Sequence, residues 1–279
     1  MFVFKMTFQT MKKTQKLLVS FLLVWAVISC QKVPVTGRRQ LSLIPESQMN
    51  AMALQAYSQF LTQNRPLAND QAAMVKRIGG RVQAALTQLL REQNSLAAID
   101  GFQWEYNLVD SKDVNAWCMP GGKVVVYTGL LPVTQNEDAL AIVIGHEIAH
   151  AVAKHGGERA SQQLVANGLL QAGGVVVSSN PTLLNQVILQ AAGVSTQLGI
   201  LSHSRSQESE ADEIGLYISA LAGYNPQESI KLWQRMGALS NGQKPPEFLS
   251  THPSEGTRIS RLQKLMPKAM TYYKRSGRG

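Results

Sequence analysis

The chain has 279 residues, of which 44% are hydrophobic and 16% are charged, and this composition excludes a disordered protein. Two cysteines are too few for a disulfide scaffold. The formal net charge is +9, but no Lys/Arg block is dense enough to indicate nucleic acid as a partner. We therefore expect a folded protein that does not bind nucleic acid.

The N-terminus has the pattern of a secretory signal. The basic stretch KKTQK precedes the apolar run LLVSFLLVWAVI (residues 17–28), which is too short to span a membrane as a helix. The run ends in VISC, which resembles a bacterial lipobox, and the cysteine of such a motif, here Cys30, carries the lipid. We expect residues 1–29 to be a lipoprotein signal peptide. An ordinary signal peptide and a retained membrane anchor are the alternatives.

A tether, two helices and a small sheet are predicted next. Residues 30–45 contain two prolines and a glycine, and we expect them to connect the lipidated cysteine to the folded part. Apolar residues at helical spacing predict helices over 45–61 and 69–92. The alternating pattern of 102–109 and the β-branched run of 123–129 predict strands of an antiparallel sheet.

The second half of the chain is predicted to be helical. Beyond the segment 139–153, which is treated below, helices are expected over 158–178, 182–201, 205–224, 226–240 and 255–265. Polar residues or glycines interrupt the first two of these, so we expect a buried helical pair, with membrane-spanning helices as the alternative. The pattern as a whole predicts one mostly helical α+β domain over residues 46–270 and a basic tail over 271–279.

The segment AIVIGHEIAHAVAKH (residues 141–155) carries three ionisable side chains inside an apolar run, which is typical of a buried helix. Asn136 is a suitable start for this helix, and the glycine pair 156–157 is a suitable stop. A buried carboxylate is unfavourable unless it is paired or coordinates an ion. His146, Glu147 and His150 therefore need a common partner.

Zinc is the partner that this spacing indicates. Histidines four positions apart lie roughly 40° apart around a helix, so His146 and His150 face one side. The H-E-x-x-H pattern presents two nitrogens to one Zn²⁺ and places the intervening Glu147 as the general base of a metalloprotease. The alternative is a buried helix whose histidines bond to neighbouring backbone. His155 lies roughly 140° from His150, and we expect it to end the helix rather than to bind metal.

A catalytic zinc needs a third protein ligand on another helix. The residues alone leave five candidates: His203, Glu208, Glu210, Asp212 and Glu213. Glu208 and Asp212 share a helix face, so one carboxylate can bind zinc while the other accepts the N–H of a ligand histidine. An exposed acidic face is the alternative.

Four motifs occur in the order seen in one family. They are VNAWCMPGGKVVVYTGLL (114–131), HEIAH (146–150), ESEAD (208–212) and STHPSEGTRI (250–259). The chain resembles the HtpX/LoiP-type zinc metallopeptidases, relatives of the CAAX prenyl endopeptidases and of the mitochondrial Oma protease. With its lipobox it is most similar to the LoiP/BepA-like lipoprotein branch, and the resemblance implies a gluzincin-like domain with the small sheet beside the active-site helix.

The resemblance also implies roles for individual residues. Glu208 would be the third zinc ligand and Asp212 would support a ligand histidine. His252 would either stabilise the tetrahedral intermediate or fill the open position of the zinc. Arg258 would bind the oxyanion or a nearby carboxylate. A loop histidine and a solvated arginine are the plain alternatives for these last two residues.

The same resemblance implies a substrate-binding strand. The segment that begins at Asn115 leads into an edge strand in this family, and such a strand can hold an extended peptide by backbone pairing. The residues of this expected edge strand are Lys123, Val124, Val125, Val126 and Tyr127. A purely structural strand is the alternative.

We expect a zinc endopeptidase with one Zn²⁺ per chain that hydrolyses extended or misfolded polypeptides in the bacterial cell envelope, as part of protein quality control. The lipid would hold it to a membrane, which we expect to be the outer membrane, on the side that faces the periplasm. An assembly factor or chaperone with a structural or self-blocked zinc site is one alternative. An integral inner-membrane peptidase, with residues 158–201 crossing the bilayer, is another.

Overall fold

The computed structural model describes residues 30–166, 204–239, 247–252 and 256–278. The strands are β1 (Cys30–Lys32), β2 (Arg39–Leu41), β3 (Glu105–Val109), β4 (Ala116–Met119) and β5 (Lys123–Tyr127). The helices are α1 (Glu46–Gln63), α2 (Asp70–Glu92), α3 (Leu131–Thr134), α4 (Glu137–Val152), α5 (His155–Ala166), α6 (Arg205–Leu221), α7 (Glu228–Ala238), α8 (Glu247–Thr251) and α9 (Arg258–Arg275). The predicted α+β class, mostly helical, is confirmed.

The three-stranded sheet has the order β3, β5, β4. β4 and β5 pair in the predicted antiparallel sense, whereas β3 and β5 run parallel because the chain reverses direction twice between them. The prediction that Lys123–Tyr127 is an edge strand is wrong, since β5 has a hydrogen-bonded neighbour on each side. The edge strand that packs against α4 is β4.

The N-terminal segment is part of the fold. β1 and β2 pair antiparallel, with Cys30 opposite Leu41. Val33, between them, is buried in the main hydrophobic core, and Ile44 is also buried. The prediction of a tether over residues 30–45 is therefore wrong, because these apolar side chains pack against the domain and anchor the segment to it.

Helix α4 begins as predicted and ends earlier than predicted. The Asn136 side chain accepts a hydrogen bond from the Ala139 N–H at 2.8 Å, so it caps the helix. The helix ends at Val152 because the chain turns at Lys154, which has a left-handed φ of 57°. The expectation that His155 ends this helix is wrong, since His155 is the first residue of α5.

Helices α4 and α6 cross in direct backbone contact. A Cβ atom on Gly215 would lie 2.7 Å from the backbone nitrogen of His146, and one on Gly145 would lie 2.9 Å from the Gly215 carbonyl oxygen. Ser219 Oγ donates a hydrogen bond across the crossing to the Ala141 carbonyl oxygen at 2.8 Å. The two glycines thus allow the histidine-bearing helix to lie directly against the helix that carries Glu208.

The last helix is longer than predicted. α9 continues to Arg275, so residues 271–275 belong to it and not to the expected basic tail. Leu262 and Ala269 are buried, and the Tyr272 ring lies 5.2 Å from the Tyr217 ring, so the core side of α9 packs along its length. Among the described residues, no helix has the length and apolar character to cross a bilayer. The predicted signal peptide and the predicted helix over 182–201 lie outside the described residues.

Candidate metal centre

Three side chains from α4 and α6 converge on one point. His146 Nε2 and His150 Nε2 are 3.0 Å apart. Glu208 Oε1 lies 3.3 Å from His150 Nε2, and Glu208 Oε2 lies 3.5 Å from His146 Nε2. All three side chains are buried, so these donor atoms face each other inside the protein.

The partners of the two histidines determine which ring nitrogen carries the proton. Asp212 Oδ1 lies 3.1 Å from His146 Nδ1, and because a carboxylate only accepts, His146 donates from Nδ1. His150 Nδ1 lies 2.8 Å from His155 Nδ1, and His155 Nε2 lies 2.9 Å from Glu210 Oε2. When His155 donates to this carboxylate from Nε2, its Nδ1 accepts the N–H of His150. Both Nε2 atoms then present lone pairs.

This donor set fits a metal ion. Two imidazole nitrogens 3.0 Å apart and a carboxylate surround one point, where a cation, either a metal ion or a proton on His146, relieves the repulsion of their lone pairs. Glu208 Oε2 is buried and has no hydrogen-bond partner among the described residues. Imidazole nitrogens with a carboxylate are typical ligands of zinc.

His252, just after α8, joins the same donor group. Its Nδ1 lies 3.0 Å from Glu208 Oε1 and 3.3 Å from His146 Nε2. Among the described residues, the groups that can hold one ion here are His146, His150, Glu208 and His252. The Phe248 ring stacks on the His252 ring at 4.5 Å, and the Phe248 N–H donates to the Val114 carbonyl oxygen just before β4. The chain before β4 therefore helps to hold His252 at the centre.

Buried charges alter the acidity of these groups. Burial opposes a charge on His146, but hydrogen bonds to Asp212 and Glu208 outweigh it and raise its pKa to about 9. Burial lowers the pKa of His150 well below its usual value. Burial alone would raise the pKa of Glu208, but the charge of His252 and hydrogen bonds from the histidines hold that pKa well below its usual range. Glu208 is therefore an anionic ligand at neutral pH.

Glu147 lies beside the donor group without belonging to it. It is buried, and its Oε1 atom has no hydrogen-bond partner among the described residues. His252 Nε2 lies 3.6 Å from that oxygen. Burial raises the pKa of Glu147 above its usual value. A carboxylate with a raised pKa and a free oxygen is suited to take up a proton.

Arg258 contacts carboxylates, which is one of the two roles that the resemblance implied for this residue. Its Nη2 donates to Asp212 Oδ1 at 2.6 Å, and its Nη1 lies 3.3 Å from Glu208 Oε2. The guanidinium carbon lies 3.3 Å from the centre of the Trp233 ring. Arg258 therefore positions the two acidic groups of α6 and is itself held by an aromatic face.

The predicted substrate residues lie at the sheet. Asn115 precedes β4, and its side-chain oxygen accepts the Ala116 N–H at 2.9 Å. Lys123 is buried and donates to the Gln103 carbonyl oxygen, and Val124, Val125 and Val126 are fully buried in the sheet. Because these belong to the central strand, an added peptide strand cannot pair with them.

Cys118 lies on the edge strand β4. Burial raises the pKa of its thiol well above the usual value, and the nearby Glu147 carboxylate adds to this effect. The thiol is therefore protonated at neutral pH, and a protonated thiol is a poor nucleophile.

Two residues of the centre were not recognised from the sequence. His155 and Glu210 continue the hydrogen-bond network from His150, although His155 was expected to end α4 and Glu210 was only one of five candidates for the third zinc ligand. The left-handed turn at Lys154 brings His155 back over His150. The HAVAKH spacing alone does not indicate this, because it places the two rings on different sides of a continuous helix.

Two histidines of H-E-x-x-H, a glutamate from a second helix and a free glutamate beside them define a zinc metallopeptidase type of centre. The model of Peptidase family M48 matches residues 80–266, and the chain belongs to this family. The family's metal is zinc, and the donor cluster is able to hold one ion, so the expected cofactor is confirmed.

Several metalloendopeptidases are similar to the chain. Mitochondrial metalloendopeptidase OMA1 of Saccharomyces cerevisiae is 37% identical over 194 residues, which cover 66% of this chain and 52% of that protein. OMA1 of Bos taurus is 33% identical over 247 residues, covering 85% and 46%. The beta-barrel assembly-enhancing protease of Yersinia pestis is 31% identical over 163 residues, covering 56% and 33%. The chain spans about half the length of these OMA1 relatives.

Proposed function

We propose that the chain is a zinc-dependent endopeptidase in which His146, His150 and Glu208 hold the metal and Glu147 is the general base. One observation carries the proposal. Glu147 is a buried carboxylate beside the donor group with an oxygen that has no hydrogen-bond partner among the described residues. Burying such a group is unfavourable and brings a purely structural metal site no benefit.

Each residue of the centre has its own role in the proposed reaction. Zinc, when bound, supplies a Lewis acid and lowers the pKa of water to about 7. Glu147 takes a proton from the attacking water and later delivers it to the amine of the leaving peptide. Its raised pKa suits both steps, because a base and an acid in turn must exchange protons near neutral pH. Arg258 keeps Glu208 and Asp212 in place by contacting both.

The substrate is an extended polypeptide that pairs with the edge strand β4. Tyr127 N–H donates to the Asn115 carbonyl oxygen, and hydrogen-bonded residues of an antiparallel pair alternate, so the inward backbone groups belong to Asn115, Trp117 and Met119. Cys118 then directs its N–H and C=O away from β5. A peptide can bond to these groups by strand addition, with side-chain identity left largely unread.

The cell envelope is the proposed location. The lipobox-like VISC supports a lipid on Cys30, and the similarity to the beta-barrel assembly-enhancing protease of Yersinia pestis supports a bacterial envelope. We take the outer membrane, facing the periplasm, as the site, with unfolded or misassembled envelope proteins as substrates. Mitochondrial OMA1, which is also similar to the chain, is a metalloendopeptidase as well, so this similarity agrees with the proposed peptidase activity and bears only on the location.

A second candidate function has one observation in its favour. His252 lies within the donor group, 3.0 Å from Glu208 Oε1, where it can occupy the position that water needs. A chain blocked in this way would act as an assembly factor or chaperone and would not cleave. In that case His252→Ala would release peptidase activity.

The test uses the full-length chain in mild detergent, as wild type and as Glu147→Gln, with zinc content measured beside cleavage of casein. We expect one zinc per chain in both and cleavage in the wild type only. Zinc with no cleavage in either protein would favour the blocked site, and His252→Ala would then be assayed. Equal cleavage by wild type and Glu147→Gln, after removal of contaminating protease, would exclude Glu147 as the base.

A further inference from the structure

The turn of the N-terminal hairpin inserts an arginine between two acidic residues of the helical core. Arg38 Nε donates to Glu210 Oε2 at 2.7 Å. Its Nη1 and Nη2 donate to the two oxygens of Glu158 at 2.7 and 2.9 Å. Thr36 Oγ1, in the same turn, donates to the other Glu210 oxygen. The hairpin is thus bonded to α6 and to α5 through charge-assisted hydrogen bonds, which are stronger than neutral ones.

The Glu210 carboxylate passes this contact on to the metal centre. It accepts a hydrogen bond from His155 Nε2 at 2.9 Å, and His155 Nδ1 lies 2.8 Å from His150 Nδ1. The same carboxylate accepts the guanidinium N–H of Arg38 and the hydroxyl of Thr36, so three donors converge on its two oxygens.

The hydrogen-bond partners indicate where the protons of these residues lie. Glu210 is paired with Arg38 and accepts at both oxygens, so His155 donates to it from Nε2. His155 Nδ1 then accepts, His150 donates from Nδ1, and the lone pair of His150 Nε2 faces the donor group. Glu210 therefore determines the direction in which hydrogen bonds are donated along Glu210, His155 and His150.

We propose that the N-terminal hairpin is a working part of the metal centre, in which Arg38 acts through Glu210 and His155 to fix the tautomer and orientation of His150. The inference rests on the proposed assignment of His150 as a zinc ligand. Arg38, Glu210 and His155 are positioning residues, since none of them reaches the donor group. Arg38 also lies outside the residues 80–266 that match the family.

A hairpin that is only attached to the domain would require fewer of these contacts. Glu158 already accepts two hydrogen bonds from Arg38, and Val33 is buried in the core, so the hairpin is attached without Glu210. Attachment does not require Glu210 to bond to His155, or His155 to bond to His150. The two roles can therefore be separated by comparing Glu158 with Glu210.

The experiment measures the zinc dissociation constant of the full-length chain by competition with a chelating dye, independently of cleavage. Glu210→Gln and Arg38→Gln are expected to weaken zinc binding by about 10- to 100-fold, the usual effect of losing a partner of a ligand histidine. Glu158→Gln, which weakens the attachment of the hairpin and leaves Glu210, His155 and His150 unchanged, is expected to weaken zinc binding less than Glu210→Gln. Arg77→Gln is the matched control, because Arg77 makes a similar two-bond pair with the exposed Glu137 far from the metal.

A second readout reports on geometry. Co²⁺ bound in place of zinc has an absorption spectrum that depends on ligand arrangement, and this spectrum is expected to change in Glu210→Gln and to remain unchanged in Arg77→Gln. If Glu210→Gln does not fold, Thr36→Val removes one hydrogen bond to the same carboxylate and is expected to weaken zinc binding severalfold.

The inference would be overturned if folded Arg38→Gln and Glu210→Gln bound zinc within twofold of the wild-type affinity and gave Co²⁺ spectra superimposable on that of the wild type. Equal losses in Glu158→Gln and Glu210→Gln would also overturn it and would leave simple attachment. A wild-type chain that binds zinc without cleaving would count against the proposed function and not against this inference.

Discussion

The contact between α4 and α6 provides a sharp test of how the metal centre is assembled. In Gly215→Ala the new Cβ would lie 2.7 Å from the His146 nitrogen, 2.8 Å from the His146 Cα and 2.9 Å from the Gly145 carbonyl carbon. All three are backbone atoms, so no side chain can rotate away, and one helix must move. Because His146 is on α4 and Glu208 on α6, the movement separates zinc ligands.

The expected magnitude follows from this overlap. Overpacking of a buried contact costs about 1–3 kcal/mol of unfolding free energy. With a urea dependence of about 3 kcal/mol per M, the midpoint of unfolding would fall by about 0.3–1 M. Zinc affinity is expected to fall as well, because the donor atoms of the two helices no longer converge.

Gly80→Ala is the matched control. Gly80 lies inside α2, and a Cβ there would meet no atom within 4 Å. Alanine in place of a helical glycine is expected to add about 0.5–1 kcal/mol of stability and to leave zinc affinity unchanged. The measurements are urea unfolding and dye competition for zinc on the three proteins. A Gly215→Ala protein with wild-type stability and zinc affinity would refute the argument that this crossing assembles the site.

Three further predictions concern the general base, the substrate strand and the pH dependence of zinc binding. Glu147→Gln should lower kcat/KM for a fluorogenic peptide by about 10²- to 10⁴-fold, the usual contribution of a general base, with zinc content unchanged. Glu137→Gln, at the exposed start of the same helix, is the control. Equal losses of kcat/KM in both variants would contradict the assignment of Glu147. Cys118→Pro should raise KM by about fivefold or more, since it removes one outward N–H of the edge strand worth about 1 kcal/mol; a KM equal to that of Cys118→Ala would contradict pairing at β4. Zinc affinity should fall by up to about tenfold per pH unit below pH 9. Without an ion His146 binds a proton with a pKa of about 9, and zinc must displace that proton. A zinc affinity that is constant between pH 9 and 7 would contradict this.

The local features of the chain were predictable from the sequence alone. Asn136 as the cap of α4, the buried character of that helix and the common face of His146 and His150 all depend on residues within one or two turns of each other. The bounds of α2 and the position of β5 in the chain follow from periodicity in the same way. Such patterns carry this information because helical and extended backbones repeat every 3.6 and 2 residues.

Only the tertiary structure decided how distant segments meet. Spacing within α6 left Glu208 and Asp212 interchangeable, and the structure places Glu208 against both Nε2 atoms and Asp212 against His146 Nδ1. The order of the sheet, which makes β4 the edge strand, depends on pairing between segments and not on the pattern of either. Arg38 and His155 reach the centre through a hairpin and a left-handed turn, and no periodicity within the chain encodes where such elements dock.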